Sequence, residues 1–154
     1  MKDPLHGLRD ADVFGRGEKY VVTSSSRWRY GSTTTPPCFV VPRSASDEEL
    51  GKAVIDAIEG FTLMTEHLSD ELVEAAAAEL LATVGVKSRE TFERGASLLH
   101  VEEQSGKWTV QPRGRQRGYW IPLHEGAYIK LNAPSPADVG AAIRDIFVSL
   151  RGRP

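Results

Sequence analysis

At 154 residues, 40% of them hydrophobic and 26% charged, the chain is long enough for one domain with a sizeable core and too short for two. A single cysteine, Cys38, excludes an internal disulfide framework and a thiolate metal cluster. No apolar run approaches the roughly 18 residues of a membrane span. The opening MKDPLHGLRDADVFGRG has no signal-peptide core, so the expected compartment is the cytoplasm.

The net charge of −2 conceals an uneven distribution. Met1 to Ser46 carries seven Lys/Arg against four Asp/Glu, Asp47 to Glu103 carries four against fourteen, and Gln104 to Pro154 carries eight against three. An acidic middle that pronounced is either a solvated surface or a docking face for something basic.

In chain order, residues 1–17 read as an irregular leader, with Gly7, Gly15 and Gly17. Tyr20-Val21-Val22 marks a strand over Glu18 to Ser25, and Arg27 to Tyr30, alternating cation and aromatic, suits a second short strand or an edge. Thr33 to Pro37 reads as a loop, because the Pro36-Pro37 pair cannot sit inside a paired strand. Cys38 to Val41 is a short apolar run closed by Pro42.

Ser44 to Ile58, SASDEELGKAVIDAI, then starts a helix with its entry chemistry intact. Ser46 is a good N-cap, Glu49 can complete a capping box, and Asp47 and Glu48 place negative charge in the first turn. Leu50, Val54, Ala57 and Ile58 recur at helical spacing. The device returns as Ser135 to Phe147, SPADVGAAIRDIF, sharing Ser46/Ser135, Gly51/Gly140, Ala53/Ala142 and Asp56/Asp145. Asp138 stands in the second copy where Glu49 stands in the first, which predicts a weaker capping box. The paired glycines predict close helix–sheet contact.

Between the copies, Ser69 to Val84 reads as the longest helix, capped by Ser69 and stopped by Gly85, with Val73, Ala76, Ala77, Leu80 and Val84 on its core face. Ser88 to Arg94 suits a shorter helix. From Ser97 the period becomes two: Leu99 and Val101, then Trp108 and Val110, flank a hairpin turn at Gln104 to Lys107. Gly118 to Pro122 and Ala127 to Asn132 read as a second hairpin around His124-Glu125-Gly126. Strands, helices, strands, helix predict an α+β fold: one domain over 1–154, a largely antiparallel sheet with helices packed on it, and 151–154 as a frayed tail.

Chemistry-bearing patterns are sparse. His6, His67, His100 and His124 have no metal-ligand spacing, and no P-loop or Rossmann glycine pattern occurs, so neither metal nor cofactor is expected. Cys38, in an apolar run with no identifiable base, reads as a small buried hydrophobe. His100 and His124 with Lys130 and Tyr128 would suit metal-free nuclease chemistry if they converged. Arg113, Arg115 and Arg117, beside Tyr119 and Trp120, form a basic loop of the kind single-stranded nucleic-acid binders use, although in a chain of net −2 its footprint is weak. The acidic middle is the stronger lead. Glu66, Asp70, Glu71 and Glu74 gather at the start of the long helix, Glu90 and Glu93 share a face of the short one, and Glu102 and Glu103 point to opposite faces of a strand.

Several of these stretches together look like one family. The repeated strand–turn–helix device with S-x-x-E-L-G-x-A-V at Ser46 to Val54, the Trp28-Arg29-Tyr30 segment, the Gly85-Val86-Lys87-Ser88 turn with Phe92, and the closing Ser135 to Phe147 copy span roughly residues 18–150. In them the chain resembles the immunity proteins of contact-dependent growth inhibition systems, the CdiI type. That resemblance implies a non-catalytic cytoplasmic protein that binds and neutralises the C-terminal toxin domain, commonly a nuclease, of a cognate CdiA effector. No membrane association and no direct nucleic-acid binding are expected. A nuclease must present cationic surface to phosphates. Glu66, Asp70, Glu71, Glu74, Glu90, Glu93, Glu102 and Glu103 are therefore the candidate toxin-binding residues. The alternative is a nucleic-acid-binding module that uses the Arg113–Arg117 loop.

Overall fold

The computed structural model describes residues 7–28, 31–64, 68–116, 119–122 and 129–151. Three strands come first: β1 (Arg9–Arg16), β2 (Lys19–Trp28) and β3 (Gly31–Pro42). Helix α1 (Asp47–Glu59), the two-residue strand β4 (Thr62–Leu63), and helices α2 (Asp70–Val84) and α3 (Arg89–Arg94) follow. The chain then returns to strands with β5 (Ser97–Gln104), β6 (Lys107–Gln116), β7 (Tyr119–Pro122) and β8 (Ile129–Asn132), and ends in α4 (Pro136–Arg151). The sheet order is β3-β2-β1-β5-β6-β7, every neighbouring pair antiparallel, and β4 adds a short parallel contact to Ser26 and Arg27 of β2. The fold is a single α+β domain, as the element order predicts.

Four local expectations are corrected. Residues 9–16, read as part of an irregular leader, form a central strand between β2 and β5. Its pattern escapes notice because Ala11 and Val13 are small and face one core, while Asp10 and Asp12 face the other side with Phe14. Thr33 to Pro37 lies within β3 and is not a free loop: the ladder jumps from Thr23↔Cys38 to Ser24↔Thr35, so the two prolines bulge out of a strand that continues past them. Tyr119–Pro122 and Ile129–Asn132 do not pair with each other. Both pair with β6, one beside Arg113–Gln116 and the other beside Lys107–Val110. Arg113 and Arg115, expected in a loop, are residues of β6.

The two faces of the sheet are covered unequally. On the first, α1 and α4 bury Leu50, Val54, Ile58, Val139, Ile143 and Phe147 against Val13, Val22, Leu99, Val101, Trp108 and Val110. On the second, α2 and α3 make a smaller core, with Leu80 and Phe92 against Phe14, Val21 and Leu98. Only Ala76 and Leu80 of α2 are buried, and Leu72 is 58% exposed, so this helix sits shallowly.

The duplicated device explains how α1 and α4 pack. Gly51 lies against the backbone of Pro136, and Gly140 lies against the backbone of Asp47, each contact reaching the first residue of the opposite helix. The close approach is therefore helix to helix, where helix to sheet was expected. Arg144 ties the junction, donating to the carbonyls of Arg43 and Ala45 and pairing with Asp47 at 2.7 Å. The capping expectation is reversed as well. In the second copy Asp138 N–H donates to Ser135 Oγ and Ser135 N–H donates back to Asp138 Oδ2, both at 3.1 Å, a complete reciprocal box. In the first copy the hydrogen bond is the one from Glu49 N–H to Ser46 Oγ. The shorter aspartate reaches the cap amide directly.

Candidate functional site

Beyond the edge of the smaller core, the second face of the sheet turns polar. Strand alternation places Asp10, Asp12, Ser25, His100 and Arg113 on that face, since Ala11, Val13, Ser24, Leu99, Val101 and Val110 point to the other. Register sets the contacts: Asp12 stands opposite His100, Asp10 opposite Glu102, and Ser25 opposite Thr34. With Ser32, Thr33, Thr34 and Arg89 of α3, these residues line a cavity of about 280 Å³.

His100 is held between two carboxylates. Its Nδ1 lies 2.9 Å from Asp12 Oδ1 and its Nε2 3.3 Å from Glu102 Oε1, and its side chain is 12% exposed. Burial disfavours the imidazolium, but the hydrogen bonds to Asp12 and Glu102, helped by the Asp12 charge, outweigh both burial and the opposing Arg113. The pKa rises from 6.5 to about 9. The hydrogen bond to His100 in turn lowers the pKa of Glu102. A histidine whose ring nitrogens both face carboxylates, and which stays charged at neutrality, is not set up as a general base. His124 and Tyr128, its expected partners in nuclease chemistry, lie outside the described residues.

This arrangement predicts a pH dependence. Because the folded pKa lies above the unfolded one, the stabilisation is complete below about pH 6.5 and is lost as pH rises through about 9. At about 1.4 kcal/mol per unit, the window amounts to about 3 kcal/mol. Urea unfolding should register that decline between pH 6.5 and 9.5 in the unaltered chain, and His100→Gln should flatten it. Equal slopes for the two proteins would refute the assignment.

The candidate toxin-binding acids are distributed over several environments. Asp70, Glu71 and Glu74 are exposed on the first turns of α2 and form no ion pair among the described residues. Glu90 pairs with Arg94 and Glu93 with Arg89, each at 2.7 Å along α3. Glu102 faces His100 on the second face, while Glu103, 7% exposed, holds Arg9 at 2.8 Å and the Gly106 N–H at 3.1 Å on the first. Glu66 lies outside the described residues, as does Arg117 of the alternative basic loop. Arg113 of that loop stands among carboxylates in the polar cavity. Cys38 packs against the smaller core, where burial, then the charge of Glu79, pushes its thiol up to about 11. Sequence reasoning missed Asp10, Asp12 and Ser25. The period-two placement of Asp10 and Asp12 around Ala11 was the available signal.

Among the described residues no group of three or more His, Cys, Asp or Glu is placed to hold a metal, and no helix is long and apolar enough to cross a membrane. No protein-family profile matches the chain, and no curated protein matches it in sequence. Solved structures do match it over almost its whole length. A protein of unknown function from Neisseria meningitidis has a TM-score of 0.75 at 16% identity, covering 99% of this chain and 100% of its own. A chain of the CdiA-CT/CdiI toxin and immunity complex from Yersinia pseudotuberculosis has a TM-score of 0.74 at 16% identity, covering 92% of this chain and 97% of its own. At that identity the shared property is the fold.

Proposed function

We propose that this chain is an immunity protein of the contact-dependent growth inhibition type. It binds the C-terminal toxin domain of a cognate CdiA effector in the cytoplasm of the producing cell and neutralises it, without catalysis. The observation that carries this reading is the end-to-end likeness in fold to a chain of a toxin and immunity complex. The charge distribution supports it. Asp70, Glu71 and Glu74 present exposed carboxylates, without an ion pair among the described residues, on a shallow helix, where they can meet the cationic surface a nuclease uses for phosphates. Glu66, Glu90, Glu93, Glu102 and Glu103 complete the proposed set, with Glu103 the least accessible of those described.

Co-expression with the C-terminal toxin domain of the cognate CdiA effector tests the proposal. The expected result is restored growth and co-purification of a stoichiometric complex. Continued toxicity at equal expression, with no complex recovered, would remove the immunity reading.

A further inference from the structure

An apolar groove stays open between α2 and the edge strand β3. Leu72, Ala75 and Ala76 of α2, with Leu68 just ahead of the helix, form one wall, and Pro36 forms the other. Two local features leave it uncovered. The bulge in β3 sets Pro36 outward and exposed, and the shallow seat of α2 leaves Leu72 and Ala75 in solvent. The groove holds about 250 Å³, below the roughly 300–1,000 Å³ of small-molecule pockets, and suits one large apolar side chain. Covering such a surface releases the water against it.

The charges around the groove select the kind of partner that brings that side chain. Helix α2 carries Asp70, Glu71, Glu74 and Glu79 and no Lys, Arg or His. Glu79 lines the groove itself, one turn beyond Ala75, and Glu71 stands one turn before Ala75. Neither forms an ion pair among the described residues. A second copy of this chain docking about a two-fold axis would set an all-acidic helix against itself, and like charges oppose that contact. A segment with Lys or Arg beside its apolar side chain is attracted instead.

We propose that the α2–β3 groove receives one leucine-, methionine- or phenylalanine-sized side chain from a cationic segment of the toxin domain, with Glu71 and Glu79 meeting the basic residues that flank it. This rests on the immunity reading and adds an apolar anchor to the charged face. The two parts act differently: the desolvated anchor governs how long the complex lasts, and the carboxylates govern how fast it forms.

Leu72→Ala removes one wall, and Ala75→Gln lays a polar side chain across the groove. Both positions are exposed and both replacements favour helix, so the melting temperature should stay near that of the unaltered chain. Each change should weaken affinity for the purified toxin domain about tenfold or more, through faster dissociation that persists as salt is raised. Glu79→Gln should slow association at low ionic strength, with the difference fading at high salt. Sedimentation of the unaltered chain alone should show a monomer. If the unaltered chain binds and both groove variants dissociate at its rate, the groove is overturned as the anchor, with immunity intact. An association rate that Glu79→Gln leaves unchanged at low salt would overturn the cationic character of the segment. A dimer that Leu72→Ala disperses would make a second copy the occupant and overturn the toxin as its source. If the unaltered chain fails to bind the toxin domain, the immunity reading falls and carries this proposal with it.

Discussion

Gly51→Ala should destabilise the folded chain by about 3 kcal/mol or more, at the high end for a single methyl group. A Cβ at residue 51 would overlap the carbonyl oxygen of Pro136, and one at residue 140 would overlap that of Asp47. Both obstacles are backbone, so no rotamer change relieves them; α1 and α4 would have to move apart. That movement would loosen Val54, Ile58, Ile143 and Ile146, which are fully buried in the larger core. Gly140→Ala should cost a similar amount. The double variant should cost less than the two combined, because one separation accommodates both methyl groups. Urea unfolding provides the measurement, and a loss below 1 kcal/mol for either single change would show that the contact is not closely packed.

Charge reversal of Asp70, Glu71 and Glu74 to lysine should slow association with the toxin domain by about ten- to hundredfold at low ionic strength, with the difference shrinking as salt is added. The reversal also removes favourable charges from the first turn of α2, each worth about 0.3–1 kcal/mol. A control must therefore separate helix stability from binding. Glu48→Lys with Glu49→Lys makes the same kind of change in the first turn of α1, which packs on the opposite face of the sheet. If the α2 acids face the toxin, stopped-flow association should slow for the first variant and hold for the control. Equal rates at low salt would sink the α2 assignment.

The candidate site was only partly legible in the sequence. Asp70, Glu71 and Glu74 were recognisable because helical spacing and the Ser69 cap place them without knowledge of any other element. Asp10, Asp12 and Ser25 were not, because each acquires meaning from its neighbour across the sheet. Asp12 is unremarkable until His100, 88 residues later, is set 2.9 Å from it. The acidic segment, which reads as one feature in sequence, is divided by the fold. α3 pairs its acids internally, β5 sends Glu102 and Glu103 to opposite faces, and α2 keeps its acids exposed.

Local chemistry by itself determined where the helices begin and end. Ser46, Ser69, Ser88 and Ser135 accept backbone N–H groups at helix starts, and Gly85 closes α2 in the left-handed conformation, because caps and φ preferences act over a few residues. It also determined the Gln104–Lys107 hairpin, where Ser105 and Gly106 take positive φ. Tertiary structure alone decided the rest. It made residues 9–16 a central strand, set β7 and β8 end to end along β6, and brought Gly51 and Gly140 together as a helix–helix contact. It also gathered the polar cavity from β1, β2, β3, β5, β6 and α3. Strand pairing and close packing couple residues far apart in the chain, and local preferences carry no record of those partners.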